Sequence, residues 1–149
     1  MKVSLRATYG IMAAVDLAMH LGTAPVQAKS IARRQAIPVR FLEQVLHGMK
    51  KAGLVSSLRG AQGGYVLSKK PSEVSVVEIL EALDGPISPL RGRPDRAEAR
   101  RLSKQDLLLG KIWDQVYRAE RGVLEAISVE ELAEQQRVLE QGRTLMYHI

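Results

Sequence analysis

The chain has 149 residues, 46% of them hydrophobic and 26% charged, with a net charge of +6 and no cysteine. That length suits one domain, or one domain carrying a helical arm. The absence of thiols excludes disulfides, thiol catalysis, thiolate-held zinc and cysteine-ligated iron–sulfur clusters, and no apolar run approaches the roughly 18 residues of a membrane span.

The opening Met1-Lys2-Val3-Ser4-Leu5-Arg6 lacks the long apolar segment of a secretory signal, so a cytoplasmic location is expected. The charge is unevenly placed. Residues 1–70 hold 11 Lys and Arg against Asp16 and Glu43 alone, a local charge of +9, whereas residues 71–149 come to −3. One half is therefore a cation suited to a polyanion.

Apolar residues from Leu5 to Leu21, among them Ile11, Met12, Val15 and Leu17, predict a largely buried first helix closed by Gly22. Ala28 to Gln35 reads as a short second helix, with Ala28, Ile31 and Ala32 inward and Lys29, Arg33 and Arg34 outward. Ala36-Ile37-Pro38 makes a turn, and Pro38 suits the opening of a third helix that runs to about Ala52. In that helix Leu42, Val45, Leu46 and Met49 recur at i, i+3, i+4 and i+7 and face the core. Its other side collects Arg40, Glu43, Gln44, His47 and Lys51, side chains able to donate to or accept from base edges; Gly53 ends it.

Leu54–Leu58 and Tyr65–Ser68 have strand character and are joined by Arg59-Gly60-Ala61-Gln62-Gly63-Gly64. A helix followed by two short strands around a basic, glycine-rich tip is the pattern of a winged helix-turn-helix. The third helix would enter a major groove, while Arg59, with Gly60 and Gln62 beside it, would reach a minor groove or the phosphates. Lys29, Arg33, Lys50 and Lys51 would supply phosphate attraction.

Ser75-Val76-Val77-Glu78 is a capping-box signature for a helix to Asp84, stopped by Gly85-Pro86. Residues 86–104, with a local charge of +4, read as a basic flexible loop. Ser103 and Asp106 offer a further cap, after which Leu108, Ile112, Val116, Leu124 and Ile127 mark a long helix, with Trp113 and Tyr117 on an adjoining stripe. Ser128 caps a last helix, where Leu132 and Leu139 are expected to lie inward. The apolar face of the long helix is too broad for one small lobe to cover, so Leu108, Ile112, Trp113 and Val116 are assigned to pairing with a second copy. Three regions follow: residues 1–85 as the DNA-binding domain, 86–104 as the loop, and 105–149 as the helical dimerisation region. The fold class is mainly α, with a small two-stranded β wing.

Enzymatic and cofactor readings find little support. His20, His47 and His148 lack metal-ligand spacing, and the glycine-rich tip lacks the Lys-Ser/Thr of a phosphate-binding loop. No catalytic residue, metal site or cofactor is assigned. The alternative to a DNA-binding regulator is a winged-helix protein- or RNA-interaction module, because fold alone does not establish function.

Tyr9 and Asp16, the run Phe41-Leu42-Glu43-Gln44, and Gly53 through Leu67 with its Arg-Gly-x-x-Gly-Gly-Tyr resemble the Rrf-two family of winged helix-turn-helix transcription regulators. The resemblance covers about residues 1–85; the remainder agrees in layout only, as a loop, a long dimerisation helix and a last helix packed against the partner. It implies a homodimeric transcription regulator, expected to repress, on a roughly two-fold operator in double-stranded DNA. Under it Glu43 and Gln44 match base-reading positions, Arg59 matches a minor-groove arginine, and Arg40 replaces a small polar residue. Cluster-binding relatives carry three cysteines in the segment that here is 86–104, so cluster sensing does not transfer. A regulatory protein partner or a small ligand is left open as the signal.

Overall fold

The computed structural model describes residues 1–87 and 96–147. Helix α1 (Leu5–Met19) is followed by α2 (Ala28–Gln35), α3 (Val39–Lys51), strands β1 (Val55–Leu58) and β2 (Gly64–Leu67), then α4 (Val76–Asp84), α5 (Arg96–Arg101), α6 (Lys104–Ala126) and α7 (Val129–Tyr147). A single 3-10 turn, Pro71–Glu73, precedes α4. The architecture is mainly α with a two-stranded antiparallel wing, as the sequence pattern predicts.

Each boundary has a local cause. Ser4 caps α1, its hydroxyl accepting the Ala7 N–H at 3.0 Å. Ser75 with Glu78, and Ser103 with Asp106, form reciprocal capping boxes at α4 and α6. Ser128 accepts the Glu131 N–H at 3.1 Å at the start of α7. The α2–α3 turn is made by Ala36, which takes a left-handed conformation (φ +53°), while Ile37 N–H donates to Ala32 O at 2.9 Å. Pro38 then stands at the N-cap of α3.

The core lies among α1, α3 and α4 and includes the start of α7. Leu42, Val45, Leu46 and Met49 of α3 are fully buried, joined by Ile31, Ile79, Val74 and Val129. Burial of each such side chain is worth about 1.5–3 kcal/mol, which holds α3's polar side outward by fixing its apolar side inward. Gly10 brings α1 against α4 so closely that a Cβ there would stand 2.3 Å from Leu83 Cδ1.

Four expectations need correction or extension. Leu5 and Leu21 are 61% and 58% exposed, at the first residue of α1 and just past its end, so the buried stripe of that helix is shorter than the sequence pattern. Leu139, read as inward, is 66% exposed, while the first turns of α7 pack on the body through Val129, Leu132 and Ala133. Those turns pack on α1 of the same chain. The segment 86–104, read as a loop, contains helix α5, and Arg91 and Arg93 lie outside the described residues, as does His148.

The α6–α7 turn is stitched to the start of α4. Val76 N–H donates to Ile127 O at 2.9 Å, and Val129 N–H donates to Val74 O at 2.8 Å. Arg121 adds an ion pair from α6 to Glu81 of α4 at 3.1 Å. Leu124 and Ile127 therefore pack on the body, while the first half of α6 does not. Across α6 no residue is buried.

Candidate nucleic-acid interface

The polar side of α3 is open along its length: Arg40, Glu43, Gln44, His47, Lys50 and Lys51 are all exposed. Phe41, half-buried, meets Tyr9 of α1 edge-to-face with ring centres 5.4 Å apart, which fixes the roll of α3's first turn. Gly53, with φ +76°, turns the chain away at the other end and into β1.

The wing pairs Val55 with Leu67 through to Leu58 with Gly64. Val26 and Tyr65 exchange backbone hydrogen bonds of 3.0 and 2.8 Å, tying the wing to the segment before α2. Arg59, Gly60 and Gln62 sit exposed at the tip. Gly60 takes φ +109° with open space around it. Gly63 and Gly64 have a different reason: a Cβ at Gly63 would stand 2.1 Å from Leu58 O, and one at Gly64 would stand 2.6 Å from the Val26 carbonyl. These two glycines serve the hairpin and its junction, whereas Gly60 meets no neighbour within the chain that a Cβ would strike.

Charge sorting is the most informative property of this face. Of the 11 Lys and Arg in residues 1–70, only Arg34, with Asp16, and Lys69, with Glu78, lie within ion-pair distance of a carboxylate among the described residues. Lys2, Arg6, Lys29, Arg33, Arg40, Lys50, Lys51, Arg59 and Lys70 have none. Glu43 is the single exposed acid in that half and likewise has no ion-pair partner among the described residues, although Arg40, Lys50 and Lys51 share its helix. The charge of these nine cations is not offset by ion pairs among the described residues, an excess that suits a polyanionic partner.

Arg34, read as outward with Lys29 and Arg33, is exposed as they are but also pairs with Asp16, a contact that the sequence reading did not include. It lies 100° further round α2 than Arg33, toward α1, and its Nε and Nη2 donate to both carboxylate oxygens of Asp16 at 2.9 and 2.8 Å. Gln35 Nε2 adds a third bond to Asp16 at 3.0 Å. Asp16 is 2% exposed. Burial pushes its carboxyl up, but the hydrogen bonds from Arg34 and Gln35, with the charges of Arg34 and His20, outweigh that and hold it below the usual carboxylate range. His20 closes α1, its Nδ1 lying 2.7 Å from Asp16 O. This clamp sets α2 against α1 and so aims α3. A lone acid within the apolar stretch Ile11–Met19 was the signal available for it.

The four residues assigned to pairing, Leu108, Ile112, Trp113 and Val116, are 63%, 47%, 53% and 45% exposed. Leu107 and Leu109, at 54% and 50%, widen the same apolar surface. The stripe read from Leu108 to Ile127 therefore divides into an open first half and a packed second half. Among the described residues no helix is long and apolar enough to cross a membrane.

Comparison with known proteins places this geometry. The Rrf2 family, described as iron-dependent transcriptional regulators, matches residues 3–135. The HTH-type transcriptional regulator CymR of Bacillus subtilis (strain 168) is 35% identical over 133 residues, spanning 89% of this chain and 90% of that protein. The HTH-type transcriptional regulator IscR of Photorhabdus laumondii is 35% identical over 142 residues, 94% of this chain and 84% of that one. Among solved structures, CymR, the global cysteine regulator of B. subtilis, superposes with a TM-score of 0.73 at 34% identity over 91% of this chain and 98% of that one. The IscR of T. potens superposes with a TM-score of 0.72 at 35% identity, over 91% and 88% respectively.

The family description names iron. A cysteine-held cluster needs thiolate donors, and the sequence has no cysteine. Among the described residues no three His, Asp or Glu side chains converge as metal ligands. The residues present do not fit an iron–sulfur group.

Proposed function

The chain belongs to the Rrf2 family of helix-turn-helix transcription regulators, and from that premise we propose that it acts as a homodimer that represses transcription by binding a roughly palindromic operator without an iron–sulfur cluster. The observation that carries this reading is the uncompensated cationic face around α3, with a single exposed acid, Glu43, in its midst.

In this reading Lys29, Arg33, Lys50 and Lys51 bind phosphates and set the register. Arg40, Glu43, Gln44 and His47 meet base edges in the major groove. Glu43 accepts from a cytosine amino group and repels bases that offer only acceptors. Arg59, with Gly60 and Gln62, enters the adjoining minor groove and senses its width. Two copies joined through Leu108, Ile112, Trp113 and Val116 would present their α3 helices to successive major grooves about 34 Å apart. A dimer of that span over a promoter denies the same DNA to polymerase, which makes repression the proposed sense of regulation. The protein would work in the cytoplasm, with no enzymatic step of its own. Its signal would be a protein partner or a small ligand.

Arg59→Ala tests the reading. In anisotropy titrations across a salt series, it should weaken binding and lower the slope of log K against log salt by about one unit per chain, or about two per dimer. An unchanged slope would remove Arg59 from the interface.

A further inference from the structure

Arg6, in the first turn of α1, is one of the nine unpaired cations but is given no contact in the reading set out above. It is exposed and has no ion-pair partner among the described residues. Nor does its charge serve the helix that carries it. Arg6 is the second helical residue after the Ser4 cap, at the end where unpaired N–H groups make the helix dipole positive, and no acid stands in that turn to offset it. The Asp84 carboxylate accepts from Ser4, whose hydroxyl and N–H donate to it at 2.5 and 3.4 Å, and forms no ion pair with Arg6. For folding alone, a neutral or acidic residue would be better here.

What Arg6 does have is a seat on the recognition helix. Its Nη2 lies 3.6 Å from where a Cβ would stand at Gly48 of α3. Gly48 follows Gln44 by four positions and precedes Lys51 by three, so it borders the polar side at the Gln44–Lys51 edge. The missing side chain at 48 makes room for Leu83 of α4, whose Cδ2 would stand 3.0 Å from that Cβ, and beside it for the guanidinium. A planar, permanently charged fork held beside a base-reading helix is the chemistry of a phosphodiester contact.

We propose that Arg6 is a further phosphate-binding residue, lent by α1 to the edge of α3 and engaging the DNA backbone beside the major groove that α3 reads. This rests on the DNA-binding reading above and extends the backbone contacts to an element outside the helix-turn-helix and wing.

Phosphate contacts are independent of base sequence, so the test uses a fluorescein-labelled mixed-sequence duplex of about three helical turns. Salt titrations compare the wild-type chain with Arg6→Gln, Arg6→Lys, Arg59→Ala and Arg118→Gln, the last removing one charge from an exposed site on α6. Arg6→Gln should lower the salt slope by about one unit per chain, Arg6→Lys should keep it, and Arg118→Gln should leave it unchanged. Thermal unfolding of Arg6→Gln should be unchanged or raised, an outcome that a merely structural arginine would not give. If Arg59→Ala lowers the slope and Arg6→Gln does not, or if Arg6→Gln lowers the melting temperature with its slope intact, the proposal is overturned. If neither variant moves the slope, the DNA-binding reading itself fails.

Discussion

Glu43 is the residue whose presence is hardest to explain without DNA. An exposed carboxylate among unpaired cations gains little within the fold, since no ion pair forms, and it opposes attraction to phosphates. Reading a base would justify it. Glu43→Ala should therefore bind random duplex at least as well as wild type while losing about 1–3 kcal/mol of discrimination at one operator position. In vitro selection measures this, and an unchanged selected motif would refute base contact there. Asp16 makes the opposite kind of prediction. A carboxyl held below its ordinary value by Arg34 and Gln35 adds stability that is complete above the unfolded value of about 3.9 and lost as pH falls through the lower folded value. Asp16→Asn should cost about 2 kcal/mol near neutrality, the worth of a charge-assisted hydrogen bond. The larger penalty of a wholly buried pair does not apply, because the Arg34 side chain is 36% exposed. The variant's melting temperature should also fall less steeply below about pH 4, which calorimetry across pH would show. The clamp explains what could not be read ahead: Arg33 and Arg34 are adjacent and chemically identical, and only the docking angle of α2 on α1 decides which of them meets Asp16. The exposed set on α3 was legible because a 3.6-residue period alone separates Glu43 and Gln44 from Leu42 and Val45.

Among the elements, α3 and the wing were legible almost to the residue, since their signals are local: an apolar stripe, Gly53 at the stop, and glycines at the hairpin. Helix α6 was not. Its stripe from Leu108 to Ile127 looks continuous, yet Leu124 and Ile127 are covered by the body while Leu108, Ile112, Trp113 and Val116 are open. Periodicity says which side is apolar and nothing about what covers it. The open half is the proposed pairing surface, so a charge placed at its centre should abolish pairing without unfolding the chain. Ile112→Glu is expected to be monomeric at micromolar concentration by sedimentation velocity, with an undiminished melting transition at α1–α4 and DNA affinity reduced to that of a single half-site. A dimer that survives this change would move the interface elsewhere.

For the molecule as a whole, the division into a +9 half and a −3 half separates a surface that seeks a polyanion from one that does not. The expected boundary near residue 85 is less sharp in three dimensions than in the sequence. The last helix returns to α1 through Val129 and Ala133, and the α6–α7 turn hydrogen-bonds to residues 74 and 76. That return was illegible because an apolar residue at position 129 does not name its neighbour. Its consequence is that the root of α6 is rigidly joined to the lobe bearing α3, so pairing through the open half of α6 would fix the spacing of the two recognition helices. Specific recognition of duplex DNA is the claim on which all the rest depends. Selection of sheared genomic DNA by the purified chain, with excess random duplex as competitor, tests it most directly. The account predicts a few enriched fragments sharing a two-fold-related motif whose half-site centres lie about one helical turn apart; recovery of fragments no different from the input would contradict it.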